Sequence, residues 1–180
     1  MTTIEAQTRT NFHAVLASAT RSPQIAESDD LYGWLIGSWE LDILHYWTDV
    51  RGQNLKGEAH FGWVLDGLAV QDVWKLPRRA EGEELSKTKL TSGTTMRVWD
   101  PTLRAWRVTW INPASGVRNE LIGRRIGNDI VQIGTHPDGT PIRWNFTEIT
   151  STSFLWSGEA LDTDGTTWKL QGQFRARRIR

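Results

Sequence analysis

Two ionisable side chains, His45 and Asp72, fall on strand faces that are otherwise apolar. Because side chains alternate along a β-strand, His45 shares a face with Trp39 and Leu41. By the same alternation Asp72 shares a face with Val70. An imidazole and a carboxylate that face one interior can serve as general base and general acid. We therefore predict His45 and Asp72 as candidate catalytic residues.

Each of these two residues also has a purely structural interpretation. A buried carboxylate must be paired, hydrogen-bonded, protonated or solvated, and a partner such as Arg97 would make Asp72 part of an ion pair. His45 would in that case be a hydrogen-bonded member of the core. Both interpretations stay open at this point.

Aromatic and polar side chains on the same inner faces are candidates for ligand contact. The chain has 11 Trp against two Tyr and five Phe, spread over most of its length. Such side chains line an aromatic cavity or, alternatively, fill a β core completely. The predicted ligand-binding residues are Trp47, Trp74, Arg97, Trp110, Asn112, Asn119, Trp144 and Trp156.

Other sequence signatures of chemistry are missing. The chain has no phosphate-binding loop, no Gly-x-Ser-x-Gly elbow and no His-Glu-x-x-His motif. The four histidines, at 13, 45, 60 and 136, lack the close spacing that is typical of a metal site, and no cysteine is present. We therefore predict neither a metal nor a cofactor.

Composition excludes several classes of partner. The 180 residues include 21 basic and 21 acidic side chains, and a net charge of zero disfavours nucleic-acid binding. No apolar run approaches the roughly 18 residues that a membrane helix needs, and the polar start lacks the apolar segment of a signal peptide. These features predict a cytoplasmic protein without nucleic-acid or membrane partners. A homodimer is left open.

Short strands joined by tight turns account for most of the chain. The turn signals lie at residues 66–67, 100–104, 113–116, 127–129, 137–139 and 162–165. Strands at this spacing, linked mostly by hairpins, favour an all-β, up-and-down antiparallel β-barrel of about eight to ten strands. A polar stretch at 77–92 is predicted to be a solvated loop.

One short helix is predicted before the barrel. Asn11 is placed to cap it, and Phe12, Val15 and Leu16 fall on one face of a helix that extends to about residue 20. Residues 1–30 are accordingly predicted to be an N-terminal tail and helix, and residues 31–180 a calycin-like barrel domain.

Three motifs in residues 32–178 resemble an uncharacterised bacterial family of lipocalin-like (calycin) barrels, the DUF1579 type. They are Leu-x-Gly-x-Trp at 35–39, Asp-Pro followed by Trp at 100–106, and Asp-Gly-x-x-Trp at 164–168. In calycins the first Trp closes one barrel end under an Arg of the last strand. The resemblance implies that role for Trp39, with Arg175 or Arg177 across its ring. Nitrobindin-like haem barrels carry a glycine pair after this Trp, which is missing here, so haem is not expected.

Three functions are compatible with these features. The first is binding of a small apolar or aromatic molecule inside the barrel. The second is a cofactor-independent enzyme, a cyclase, isomerase or dehydratase, acting on a hydrophobic metabolite in the same cavity. The third is an interaction module that uses the basic C-terminal residues. We expect binding of a small hydrophobic molecule, with the enzyme as the alternative.

Overall fold

β-Strands dominate residues 11–76 and 91–179, which are the residues that the computed structural model describes. In this part of the chain there is one α-helix, α1 (Phe12–Leu16), and three single 3-10 turns at Glu27–Asp29, Gly33–Leu35 and Arg51–Gln53. The strands are β1 (Ala17–Ser18), β2 (Gly37–Tyr46), β3 (Thr48–Asp49), β4 (Lys56–Val64), β5 (Ala69–Leu76), β6 (Thr91–Asp100), β7 (Ala105–Asn112), β8 (Val117–Ile126), β9 (Asp129–Thr135), β10 (Pro141–Thr147), β11 (Ser153–Leu161) and β12 (Trp168–Arg178).

Ten of these strands, β2 and β4–β12, form a closed barrel. Each pairs antiparallel with the next in the chain, and β2 pairs with both β4 and the last strand, β12. The predicted up-and-down antiparallel barrel with a short N-terminal helix is therefore confirmed. A closed barrel of this kind is consistent with a calycin-like fold. The predicted loop at 77–92 lies outside the described residues except for its last two, which belong to β6.

Residues 20–36, here called the N-terminal segment, close the barrel end at which β2 begins. Leu31, Tyr32 and Leu35 are buried in the same core as the strand residues, and so is Ile25, which precedes the predicted domain boundary at residue 30. The turn between β4 and β5 meets this segment through Gly67, which has a positive φ of 74°. A Cβ there would overlap the backbone of Thr20, so the close approach requires glycine.

Trp39 is the central side chain of this closed end. It is fully buried, and its indole Nε1 donates to the Leu35 carbonyl at 2.7 Å. The cation over its ring is Arg178, with Cζ 4.1 Å from the ring centroid, so the prediction of Arg175 or Arg177 was wrong. Arg178 pairs directly with Trp39, and its side chain points inward like those of Phe174 and Ala176 in the same strand. The side chains of Arg175 and Arg177 point outward.

Helix α1 is shorter than predicted and contributes no buried residue. Asn11 caps it as expected, because its Oδ1 accepts from the Ala14 N–H at 3.0 Å. The chain then becomes extended at Ala17 and pairs with β4, which ends the helix several residues before the predicted position. Phe12 and Val15 consequently stay exposed, at 72% and 64%.

Candidate ligand-binding cavity

A cavity of about 830 Å³ occupies the barrel end opposite the N-terminal segment. It extends from the barrel interior to the β7–β8 turn at Ala114 and Ser115 and to the β9–β10 turn at Pro137 and Asp138. The turn residues Ser115 and Asp138 are solvent-exposed, so the cavity reaches the surface at this end. The described residues thus form a barrel that is closed at one end and hollow at the other.

Four indoles and one phenyl ring form a continuous aromatic wall. Trp110 contacts Trp144 edge to face with 6.3 Å between ring centroids, and Trp144 lies 5.8 Å from Trp156. Trp156 in turn stacks on Phe174 at 5.0 Å with an interplanar angle of 5°, and Trp74 lies 5.8 Å from Trp156. Such offset and edge-to-face pairs are the favoured geometries of aromatic rings, so the wall is a packed surface.

Glycines in three strands make room for these rings. Gly158 and Gly172 pair directly across β11 and β12, and both line the cavity. A Cβ at Gly158 would lie 2.7 Å from the Trp156 ring, and a Cβ at Gly93 would overlap the ring of Trp110. A side chain at Gly93 or Gly158 would displace an indole, whereas a Cβ at Gly172 would lie 3.2 Å from the Trp156 ring, a tight contact.

A buried ion pair lies at the inner end of the cavity. Asp72 is fully buried and Arg97 is 2% exposed, and their Oδ2 and Nη1 atoms are 2.6 Å apart. The other carboxylate oxygen of Asp72 accepts from the Thr95 backbone N–H at 2.7 Å. A buried pair repays its desolvation only with such additional hydrogen bonds. Arg97 and Thr95 also line the cavity, so Arg97, with Asp72 behind it, is the polar group at its inner end.

Aromatic rings surround the Arg97 guanidinium on its other sides. Its Cζ lies 5.0 Å from the Tyr32 ring centroid and 5.6 Å from that of Phe61. The Tyr32 hydroxyl donates to Gln132 Oε1 at 3.1 Å. Burial raises the pKa of Tyr32 well above its ordinary value, and this outweighs the opposite effect of the Arg97 charge. Tyr32 is therefore a protonated donor, and the negative charge of Asp72 is balanced by Arg97.

A second polar group stands at the outer end. His136 lines the cavity between two amides, with Nδ1 3.2 Å from Asn119 Oδ1 and Nε2 3.3 Å from Gln171 Oε1. The pairing of Glu120 with Thr135 brings Asn119 of β8 beside His136, which directly follows β9. Both contacted atoms are amide oxygens, which accept, so a neutral imidazole can donate its single N–H to only one of them.

The mouth of the cavity is formed by turns. Asn112 Oδ1 accepts from the backbone N–H groups of Ala114 and Ser115, so this side chain stabilises the β7–β8 turn. Trp47 has a positive φ of 60° and is 63% exposed at the rim. The backbone N–H of Thr140 lowers the pKa of Asp138, which is consequently an ionised carboxylate beside the opening.

All eight residues that the sequence predicted for ligand contact lie on the cavity wall. They are Trp47, Trp74, Arg97, Trp110, Asn112, Asn119, Trp144 and Trp156. Their contact with a ligand stays a prediction. The partner proposed for Asp72 in the structural interpretation, Arg97, is its partner in the structure.

The two candidate catalytic residues are not brought together at the cavity. They lie on β2 and β5, which are separated in the sheet by β4, and neither His45 nor Asp72 is among the described residues that line the cavity. In β2, Ile43 pairs with Phe174 and His45 with Gln173, so one residue is bulged between them. The bulge reverses the alternation of inward and outward side chains, so the next residue, Tyr46, lines the cavity in place of His45. A catalytic role for either residue stays an untested prediction.

Sequence reasoning missed several cavity residues, among them Tyr46, His136 and Gln171. Gln171 enters the wall at a second bulge, since Gly158 pairs with Gly172 whereas Glu159 pairs with Leu170. Isolated glycines within a strand pattern often mark a bulge, and the glycine at 172 is such a signal.

The described residues contain no group of three or more His, Asp or Glu side chains that could hold a metal ion. Within the same residues, no helix has the length and apolar character that crossing a membrane requires. A scan against models of known protein families finds no match to this chain, and a search of curated proteins finds none either.

Proposed function

We propose that the barrel binds a small, flat, apolar or aromatic molecule in the cavity. The observation that carries this proposal is a space of about 830 Å³ walled by four indoles. Small-molecule sites are typically concave, mostly apolar and about 300–1,000 Å³ in volume, with a few polar groups that orient the ligand. Arg97 at the inner end and His136 at the outer end are such groups.

The main alternative is that the tryptophans only fill a core. Three of the four cavity indoles are incompletely buried, because they face the cavity rather than other side chains. The rings of Trp110 and Trp156 pack directly against Gly93 and Gly158, which have no Cβ that would displace them. Large side chains in place of these glycines would fill the space, so the residue types favour a cavity kept open.

Catalysis has less support than binding. The predicted acid and base, His45 and Asp72, lie on strands separated by β4, and Asp72 is engaged by Arg97 and a backbone N–H. An enzyme of the predicted type needs two titratable groups within reach of one substrate. The described part of the chain does not place these two on one cavity.

Three further proposals rest on the sequence. The three Trp motifs support membership of the calycin-like DUF1579-type family. The composition supports a cytoplasmic location, and exposed apolar side chains such as Ile111 and Ile133 on the outer surface support a homodimer. Mass measurement of the native protein tests the last of these, because a monomer at all concentrations would contradict it.

Titration with the neutral fluorescent probe N-phenyl-1-naphthylamine tests the binding proposal. We expect saturable binding at one site, with energy transfer from the cavity indoles to the probe. The substitution Val117→Trp adds an indole inside the cavity and should weaken binding at least about tenfold, a difference of about 1.4 kcal/mol.

The matched control is Val98→Trp, because Val98 is 40% exposed on the outer face of β6. It adds the same side chain without reaching the cavity, so probe affinity should stay within about twofold of the wild type. Absence of saturable binding in the wild type would contradict the proposal. Equal effects of the two substitutions would contradict it as well.

A further inference from the structure

The buried polar groups beneath the cavity have more donors than acceptors. We call Tyr32, Asp72, Arg97 and Gln132 the floor cluster. Two of its atoms, Arg97 Nε and Gln132 Nε2, are buried without a hydrogen-bond partner in the described part of the chain. Both atoms carry N–H groups, and an unpaired buried donor retains its full desolvation cost.

The acceptor oxygens of the floor cluster already have partners, and these include the Tyr32 oxygen, whose hydrogen bond with Arg97 acts to lower the Tyr32 pKa. The two carboxylate oxygens of Asp72 accept from the Thr95 N–H and from Arg97, and Gln132 Oε1 accepts from Tyr32. None of these oxygens is among the buried atoms that lack a partner in residues 11–76 and 91–179. What the cluster lacks is therefore an acceptor.

The cavity meets this cluster at Arg97, because Tyr32, Asp72 and Gln132 are not among the described residues that line it. Arg97 belongs both to the floor cluster and to the lining of the cavity, where it lies at the inner end, beyond the indoles of the aromatic wall. A molecule held by Trp74, Trp110 and Trp156 would place its inner end at the guanidinium. The remaining N–H groups of Arg97 are suited to an oxygen at that position, because a guanidinium has five donors and no acceptor.

We infer that the bound molecule presents an uncharged oxygen acceptor, such as a ketone, ester or amide carbonyl, to Arg97. This inference rests on the proposed binding function and adds the chemical class of the ligand. An uncharged group is favoured because Asp72 already balances the charge of Arg97 at 2.6 Å. A carboxylate would add an uncompensated negative charge to a site where both ionic side chains are at most 2% exposed.

Three naphthalenes of similar shape test this inference: 2-acetylnaphthalene, 2-isopropylnaphthalene and 2-naphthoate. Their dissociation constants are measured by equilibrium dialysis with the wild type, Asp72→Asn and Asp72→Asn/Arg97→Met. The ratio of acetyl to isopropyl affinity removes the shared contribution of the ring. We expect this ratio to fall about tenfold from the wild type to the double variant, since the hydrogen bond to a charged donor is lost.

The single variant reverses the charge preference. Asp72→Asn keeps an acceptor for the Thr95 N–H but leaves the cation of Arg97 unbalanced. We expect the affinity for 2-naphthoate to rise about tenfold relative to 2-acetylnaphthalene. An unchanged preference for the uncharged ligand would overturn the inference, because the choice would not depend on charge balance at Arg97.

A measurement on the wild type keeps the inference testable if the variants do not fold. The infrared carbonyl stretch of bound 2-acetylnaphthalene should lie at lower frequency than in heptane. An unshifted frequency overturns the inference, and so does a shift that disappears in His136→Leu, which would place the carbonyl at the mouth. If 2-isopropylnaphthalene binds but the affinity ratio is the same in all proteins, only this inference fails. If none of the three binds the wild type, the proposed function fails with it.

Discussion

Replacement of Arg97 by Met should destabilise the barrel strongly. The substitution removes the cation but leaves Asp72 fully buried, with the Thr95 backbone N–H as its remaining described donor. Removing one partner of a buried ion pair typically costs about 3–5 kcal/mol. A domain of this kind is stable by only about 5–15 kcal/mol, so the variant should lose a large fraction of its free energy of unfolding.

The cost arises from the carboxylate that is left behind, and a double-mutant cycle separates it from lost packing. Asp72→Asn/Arg97→Met removes both charges, so it should be destabilised by at least about 2 kcal/mol less than the sum of the two single variants. Arg97 also lies over the rings of Tyr32 and Phe61, and these contacts are lost in both variants that carry Met. The double variant therefore still shows the loss of these contacts, which is worth about 0.5–2 kcal/mol.

Urea unfolding followed by tryptophan fluorescence provides the assay. The control is Arg175→Met, which removes an arginine 2.8 Å from Glu148 in an exposed ion pair. Exposed pairs are worth about 0–1 kcal/mol, so this variant should stay close to the wild type. The reasoning would be refuted if each single variant, at Arg97 or at Asp72, lost less than about 1 kcal/mol of unfolding free energy and the two losses added up in the double variant. Such a result would mean that the pair is solvated.

Two further predictions concern the closed end and a turn. Trp39→Ala should lower the free energy of unfolding by about 3–5 kcal/mol, because the ring is fully buried beneath Arg178, and a loss below about 1 kcal/mol in urea unfolding would contradict this role. The Leu103 backbone N–H and then Arg107 lower the pKa of Asp100, so its contribution to stability is complete above the unfolded pKa and is lost as pH falls. The melting temperature of Asp100→Asn should therefore decline less than that of the wild type below about pH 4, and parallel declines would contradict the assignment.

The regular strands of the barrel were predictable from alternation alone. Trp74 on β5, Trp110 on β7 and Asn119 on β8 all face the interior, as their period of two predicts. The hairpin turns then fixed the antiparallel order of the strands. Both kinds of information are local in the sequence, which explains why the fold class and the cavity wall were predicted together.

Bulges and turns limited the prediction elsewhere. One bulge in β2 brings Tyr46 into the wall in place of His45, and another in β12 does the same for Gln171. A bulge depends on the register between two strands, and alternation within one strand cannot show it. His136 follows β9, and its place beside Asn119 on the cavity wall depends on the register of β8 with β9.

The eleven tryptophans do not share one role, and their hydrogen bonds separate two groups. At the closed end, the indole N–H groups of Trp34, Trp39 and Trp106 donate to backbone carbonyls of residues 29–35 at 2.7–3.0 Å. These rings tie the N-terminal segment to the barrel, as buried indoles with satisfied N–H groups do.

The cavity indoles, at positions 74, 110, 144 and 156, have no such bond among the described residues, although they pack ring to ring. Their N–H groups are also not among the buried atoms that lack a partner in the described part of the chain. An indole in a sealed core would need a partner for its donor, whereas an indole on a cavity wall can leave its donor accessible. The two interpretations of the tryptophans, packing and cavity wall, therefore apply to opposite ends of one barrel. Because the residue type is the same at both ends, the sequence alone does not distinguish them, whereas the N-terminal segment supplies carbonyl acceptors at the closed end.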